Sequence, residues 1–310
     1  MNNDLSRPRL QMAGLTHVGQ VRTSNQDNYL IADMRRLLNV CDSSVIDMDG
    51  RSMVAQQPGE LLIVADGMGG YAHGATASQI AIRQMASCVS MLMEDFLVID
   101  PNDDEEFREA LRAAPEQIRK RLQVEGRMNQ EKVQMGTTLT VTYVVWPYFY
   151  VLHIGDSACY RLRDGSLSRM TRDHTVAQAM MDSGVPEDEI RNSQFHHMLW
   201  NSLSAAVSSE PEPEPDLFRH ELRPGDSLLL CSDGLTRHLS LTQVESIMNT
   251  GHSPEDQCEQ LITAANNGGG RDNITAVIAN FQAPPSAADT CGEDSVYEVL
   301  SRLSDTEIAF

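Results

Sequence analysis

The chain has 310 residues, 41% of them hydrophobic, and carries 44 acidic against 24 basic side chains, a formal charge of −20. This apolar fraction is ample for a core, which excludes disorder throughout. Only Lys120 and Lys132 are lysines, and the sequence has no basic cluster that could neutralise a row of phosphates. We therefore exclude nucleic acids and anionic membranes as partners and expect neutral or basic ones.

Targeting signals and cysteine usage indicate the compartment. Residues 1–14 contain no apolar stretch of signal-peptide length, and the run LLIVA at 61–65 is far too short to span a bilayer. The six cysteines are scattered without CxxC pairs, which is typical of reduced, mostly buried thiols and not of a disulfide framework or a zinc site. We expect a cytoplasmic protein.

Hydrophobic periodicity predicts many short strands and a few helices. Strands are predicted at 12–18, 28–33, 60–65, 138–146, 148–154, 158–163, 217–222, 226–232 and 273–281. Helices are predicted at 75–96, 104–124, 174–183, 241–249 and 254–267. Several strands follow one another without a helix between them, which favours antiparallel sheets flanked by helices over a doubly wound parallel sheet.

The same pattern suggests how the chain is divided. We predict an N-terminal extension over 1–11, a single domain over 12–282, and a C-terminal segment over 283–310. Within the domain, residues 175–216 end in the solvated sequence SEPEPEPD and form either a flap over a site or a plain insertion. The C-terminal segment combines a linker with a short amphipathic helix, which either packs on its own domain or binds a partner.

Five aspartates lie where a predicted strand begins or ends, each beside a glycine, an asparagine or another small residue. They are Asp27 in SNQDNY, Asp66 in VADGMGG, Asp156 in HIGDSA, Asp233 in CSDGL and Asp272 in GRDNIT. One such motif is usually just a turn. Five carboxylates gathered at the edges of two sheets would repel one another. Burying each one without a partner would cost on the order of several kcal/mol. A positive group must therefore lie among them.

The composition indicates what that positive group is. With two lysines and no His/Cys cluster at ligand spacing, the natural counter-charge is a hard divalent cation with oxygen ligands, Mg²⁺ or Mn²⁺, and several aspartates imply more than one ion. Two ions roughly 3.5–4 Å apart activate a bridging water for attack on phosphorus. Arg22, five positions before Asp27, offers a guanidinium that suits phosphate oxygens. The pattern predicts hydrolysis of phosphate esters.

Six motifs in order carry a resemblance to a known family. They are GQVRTSNQD (19–27), VADGMGGYAHGATAS (64–78), MGTTLT (135–140), IGDSACYRLRDGSLSRMTRDH (154–174), LLLCSDGL (228–235) and GRDNITAV (270–277). Over about residues 12–281 the chain resembles the bacterial branch of the PPM-type metal-dependent serine/threonine phosphatases, the 2C class. The resemblance implies an α+β fold, a four-layer α-β-β-α sandwich of two antiparallel sheets, with a binuclear Mg²⁺/Mn²⁺ centre at one edge.

The resemblance also implies roles for the metal ligands. Asp66 would bridge both ions, and the carbonyl of Gly67 would bind one of them. Asp233 and Asp272 would bind the other ion, and Asp156 with Asp233 matches a third-ion site of bacterial relatives.

Further roles follow for residues that handle the substrate. Arg22 would hold the substrate phosphate, and Asp27 would act through metal-bound water or by orienting Arg22. Thr137 and Thr138 would shape the site, and the flap over 175–216 would influence substrate choice.

The chain departs from the family pattern at two positions. Gln26 replaces a common glutamate, which removes one negative charge and predicts weaker binding of the second ion. Met68 stands where some eukaryotic members carry a histidine proposed as a general acid, and a thioether has no proton to donate. We expect no catalytic role for His73 and a structural role for His174.

Two of these motifs also match other chemistries. VADGMGGYA satisfies G-x-G-x-x-A, but the surrounding strands form no βαβ units, so we reject dinucleotide binding. Ser157 in HIGDSAC has no DxxH partner near the C-terminus, so we reject a serine esterase. The sequence predicts a phosphatase acting on phosphorylated proteins, substrates of serine/threonine kinases. A catalytically weak module that binds a phosphoprotein or regulator is the alternative, and the oligomeric state is open.

Overall fold

The computed structural model describes residues 8–34, 37–44, 52–54, 59–69, 72–95, 104–128, 135–190, 197–206 and 212–282. These residues form fourteen strands and seven helices. The strands are β1 (Arg9–His17), β2 (Asp27–Met34), β3 (Leu37–Ser43), β4 (Ser52–Val54), β5 (Gly59–Met68), β6 (Gly136–Thr137), β7 (Leu139–Val145), β8 (Tyr148–Ile154), β9 (Ala158–Arg163), β10 (Ser166–Arg169), β11 (Leu203–Ser204), β12 (Asp216–Glu221), β13 (Ser227–Cys231) and β14 (Ile274–Gln282). The helices are α1 (Ala72–Asp95), α2 (Glu105–Met128), α3 (Val176–Asp182), α4 (Glu187–Ile190), α5 (Asp233–Thr236), α6 (Leu241–Met248) and α7 (Pro254–Asn267).

The strands form two antiparallel sheets. The small sheet has the order β1-β14-β13-β9-β10, and the large sheet has the order β12-β8-β7-β5-β2-β3-β4, with β6 and β11 attached beside β5. Each pairing recorded between these strands is antiparallel, so the four-layer α+β expectation is confirmed and a Rossmann unit is excluded.

Three apolar layers hold the sandwich together. Helices α1 and α2 cover the outer face of the large sheet. The cluster between them includes Met85 of α1, Ile118 of α2 and Ile63 of β5. Helices α6 and α7 cover the outer face of the small sheet through a second cluster. The third cluster, which includes Val64, Leu230 and Val277, fills the space between the sheets. Because these side chains are almost fully buried, the relative position of the two sheets is fixed by packing.

The structure differs from the sequence prediction at the edges of the domain. Strand β1 begins at Arg9, whose register partner is Gln282, so residues 9–11 belong to the small sheet and not to an extension. Within the flap over 175–216, α3 matches the helix predicted at 174–183, whereas α4 and β11 are elements that were not predicted. The linker and C-terminal helix predicted over 283–310 lie outside the described residues. Among the described residues, Cys88, Cys159 and Cys231 are buried free thiols, and the Cys258 side chain is also buried. None of the described helices has the length and apolar character needed to cross a bilayer.

A buried histidine anchors the end of β8, next to one of the five aspartate motifs. The Nδ1 atom of His153 lies 2.9 Å from the Thr140 hydroxyl and its Nε2 atom lies 3.0 Å from the Arg172 carbonyl oxygen. Complete burial lowers the pKa of His153 to about 3, with the electrostatic influence of the neighbouring His174 ring and of the Arg169 guanidinium adding to the effect. The imidazole is therefore neutral in the folded protein.

This depressed pKa predicts a loss of stability in acid. Between pH 6.5 and pH 3, the His153 side chain binds a proton in the unfolded chain but not in the folded chain. The free energy of unfolding therefore falls as the pH drops toward 3. In chelator-treated protein, we expect the free energy of unfolding of the wild type to fall by about 2 kcal/mol more than that of His153→Gln between pH 6.5 and pH 5. Urea denaturation at the two pH values measures the difference, and parallel curves would contradict it.

Candidate metal centre

The five predicted aspartates converge at one edge of the sandwich. Asp27 and Asp66 are register partners across β2 and β5, so their side chains leave the large sheet on the same side. Asp156 follows β8, while Asp233 and Asp272 lie next to the ends of β13 and β14 in the small sheet. A cavity of about 530 Å³ opens there, and its lining includes all of these aspartates except Asp27, together with Arg22 and Gly67.

Asp27 is held by hydroxyl groups of the opposite sheet. Its Oδ2 atom accepts hydrogen bonds from Ser232 Oγ at 2.6 Å and Thr275 Oγ1 at 2.8 Å. Its Oδ1 atom is buried and has no hydrogen-bond partner. Burial raises the pKa of Asp27 to about 6, although the two hydroxyl donors oppose the shift. One carboxylate oxygen is thus fixed in place while the other is left for a further ligand.

Asp66 is fixed through its backbone by the adjacent threonines. The carbonyl oxygen of Asp66 accepts bonds from Thr137 Oγ1 and from the backbone N–H of Thr138, both at 2.9 Å. The Asp66 N–H donates to Thr138 Oγ1 at 3.0 Å, and that hydroxyl also lies 2.7 Å from Ser157 Oγ. Burial raises the pKa of Asp66 well above its usual range, and the charges of the other four aspartates raise it further.

Asp156 and Asp233 form a second carboxylate pair. Burial raises the pKa of Asp156 to about 8, and the negative charge of Asp233 reinforces the shift. The pKa of Asp233 also rises through burial, whereas the guanidinium of Arg237 opposes this. The Oδ1 atom of Asp233 is buried without a hydrogen-bond partner. A positive charge between these two carboxylates would relieve both shifts.

The donor set fits hard divalent cations, but it is not closed around an ion. The available donors are carboxylate oxygens, two of them buried and unpartnered, which is the ligand type that Mg²⁺ and Mn²⁺ prefer. In the part of the chain that the structure describes, no three acidic, histidine or cysteine side chains converge tightly enough to chelate an ion as they stand. Two arginines bind the carboxylates instead: Arg22 lies 2.9 Å from Asp272, and Arg237 pairs with Asp233.

One asparagine organises the loop that carries Arg22. The Nδ2 atom of Asn273 donates to the carbonyl oxygens of Val18 and Ser24, both at 3.0 Å, and its Oδ1 atom accepts the N–H of Gln26 at 2.8 Å. These bonds tie residues 18–26 to the start of β14, next to Asp272. The Arg22 side chain itself is 54% exposed, so the loop and not local packing determines where its guanidinium lies.

Two glycines allow the close backbone approaches that the site requires. A Cβ atom on Gly67 would lie 2.1 Å from the carbonyl oxygen of Gly74, and one on Gly234 would lie 1.9 Å from that of Asn273. Any side chain at either position would push the metal-site segments apart. The glycines that follow Asp66 and Asp233 in the sequence are therefore required by packing.

The other residues singled out by the sequence have definite places. Gln26 and Met68 line the same cavity as Arg22. His174 is buried below it, accepts the Gly155 N–H at 3.3 Å and contacts Asn201 and Asp216 of the flap. His174 thereby links the flap to the segment before Asp156, as the expected structural role requires.

Sequence reasoning missed four residues that hold or neutralise the carboxylates: Ser232, Thr275, Asn273 and Arg237. Three of them are direct neighbours of a motif aspartate or lie inside a quoted motif. The spacing of Asp233 and Arg237 is the i,i+4 spacing at which opposite charges pair on a helix. That spacing was the available signal for Arg237.

Comparisons with known proteins identify the family of the chain. Residues 48–265 match the family model described as protein phosphatase 2C. The serine/threonine protein phosphatase PstP of Mycobacterium tuberculosis is 37% identical over 224 residues, which is 71% of this chain but 40% of that protein, so the chain spans well under half of this relative. Protein phosphatase PhpP of Streptococcus pneumoniae is 30% identical over 275 residues, covering 88% of this chain and 98% of that protein.

Solved structures give the same result. The catalytic domain of PstP, in complex with two manganese ions, superimposes with a TM-score of 0.62 at 30% identity, covering 87% of this chain and 97% of that one. The serine/threonine phosphatase of S. agalactiae superimposes with a TM-score of 0.69 at 27% identity, covering 88% of this chain and 100% of that one. The chain therefore belongs to the protein phosphatase 2C family.

Proposed function

We propose that this chain is a metal-dependent protein serine/threonine phosphatase that hydrolyses phosphoserine and phosphothreonine at a binuclear Mg²⁺ or Mn²⁺ centre. The observation that carries the proposal is the convergence of four aspartates and Arg22 on one cavity, with Asp27 directly behind it. The names of the relatives and the manganese in the PstP structure support the same activity.

The residues divide into those that hold ions and those that hold the substrate. Asp66 and the Gly67 carbonyl would hold one ion, and Asp66, Asp233 and Asp272 would hold the other. Divalent cations bound there supply Lewis-acid activation of water for attack on phosphorus. Arg22 lies in the same cavity and would bind the phosphate oxygens through its guanidinium fork, releasing Asp272 for a metal ion.

The buried surroundings of Asp27 support a positioning role for this carboxylate. The hydroxyls of Ser232 and Thr275 fix one of its oxygens, so the other has a defined direction. That second oxygen can accept a hydrogen bond, either from a water molecule in the site or from the Arg22 guanidinium.

The flap residues at the mouth of the cavity indicate where the substrate would bind. The substrates are phosphorylated proteins made by serine/threonine kinases, and His197 and Leu199 of the flap line the cavity where the phosphorylated side chain would enter. The buried free thiols of Cys88, Cys159 and Cys231 support a reducing compartment such as the cytoplasm.

The first test is metal dependence. With a phosphothreonine peptide, we expect turnover in Mn²⁺, loss of turnover on chelation, and a loss of about a thousandfold or more in kcat/KM for Asp66→Asn, because this substitution removes a bridging charge. Asp256→Asn, an exposed acid in the first turn of α7, is the matched control and should behave like the wild type.

Two results would contradict this proposal. Turnover that persists in chelator, or survives Asp66→Asn undiminished, would exclude the binuclear mechanism. Phosphopeptide binding without turnover in any metal would instead support a phosphoprotein-binding module.

The second test concerns Asn273 as a positioning residue for Arg22. Because Asn273 acts by holding the loop that carries Arg22, we expect Arg22→Ala and Asn273→Ala each to lower kcat/KM by about 10- to 100-fold. The double variant should lose less than the product of the two effects, since both remove the same phosphate contact. Fully multiplicative losses would show that Asn273 acts independently of Arg22.

A further inference from the structure

Arg237 lies among three of the motif aspartates. It follows the short helix α5, and its guanidinium pairs with Asp233. Its Nη2 atom lies 3.6 Å from Asp156 Oδ2 and its Nη1 atom lies 3.6 Å from Asp272 Oδ2. One side chain thus bridges carboxylates from three separate chain segments.

The charge balance of the site changes with this one residue. Five aspartates contribute five negative charges, and Arg22 and Arg237 return two positive ones, so the cluster has a formal charge of −3. Two divalent cations bring it to +1, and a third cation must then enter a site that is already positive. Without Arg237 the same two cations leave the cluster neutral, and the third meets no net repulsion.

The guanidinium also contacts both carboxylates that would hold a third ion. Asp156 and Asp233 are the two carboxylates that face each other there, and Arg237 contacts both. An ion bound to the pair would need the guanidinium to move away. Space for this exists, because Arg237 also borders a neighbouring cavity of about 750 Å³ and its side chain is 31% exposed.

We propose that Arg237 is a built-in counter-cation that competes with a divalent cation for the Asp156–Asp233 position, and so limits the protein to two tightly bound ions. This inference rests on the binuclear centre proposed above. Arg237 is a positioning residue in this scheme: it acts on the carboxylates and touches neither the phosphate nor the attacking water. It stabilises the carboxylate pair when metal is scarce and sets the metal concentration at which a third ion binds.

The test counts bound Mn²⁺ in the full chain, by electron paramagnetic resonance of free Mn²⁺ and by calorimetry, so no readout depends on turnover. We expect two tight ions in the wild type and a third in Arg237→Gln, bound about tenfold or more tightly than by the wild type. In chelator, Arg237→Gln should unfold at a lower temperature than the wild type, because Asp156 and Asp233 lose their shared partner. Arg237→Lys keeps the charge and should retain the wild-type stoichiometry.

Arg271→Gln is the matched control. Arg271 lines the same larger cavity, and its substitution removes the same charge, but the structure records no ion pair between this side chain and the aspartates in the described residues. Unchanged Mn²⁺ number and affinity in Arg237→Gln would overturn the inference. An equal gain in Arg271→Gln would also overturn it, since net charge alone would then explain the effect. A wild type that binds no Mn²⁺ would refute both the binuclear centre and this inference, whereas two ions in all variants would refute only the latter.

Discussion

The crowding of five like charges, three of them buried, where two sheets meet is the constraint on which the rest of this structure depends. Desolvation raises the pKa of Asp27, Asp66, Asp156 and Asp233 above the ordinary range of carboxyl groups, and their mutual repulsion strengthens the shift for most of them. Hydroxyl donors relieve only part of this cost. In the function proposed above, divalent cations supply the missing positive charge, and the arginines and glycines around the cluster hold the carboxylates in place.

The acidic and basic members of the site are attached to the fold differently. Asp27 and Asp66 lie on paired strands in the middle of the large sheet, where the register fixes their separation. Arg22 and Arg237 lie on a loop and at the end of a one-turn helix, with partly exposed side chains. Asp27 and Asp66 are therefore fixed by the sheet, and in the proposed mechanism the two arginines are the groups that make way for metal ions or phosphate.

Most of the fold and the acidic half of the site could be predicted from the sequence. Strands such as β8 and β14 are long apolar runs, and the aspartates stand out because each sits beside a small residue at a strand end. Strands β6 and β11 were missed, since two-residue strands have no periodicity to detect. Ser232 and Thr275 were missed for another reason: their importance depends on a contact with Asp27, more than 200 residues away in the chain.

The hydrogen bonds of Asp27 have a consequence for the whole sandwich. Asp27 belongs to the large sheet, whereas Ser232 and Thr275 belong to segments of the small sheet, so these bonds cross the apolar layer between the sheets at its edge. The distance between the sheets is set by the volume of side chains such as Val64, Leu230 and Val277. The thickness of this layer therefore sets how far apart the two sheets hold their aspartates, and changes in core volume far from any charged group would alter the spacing of these carboxylates.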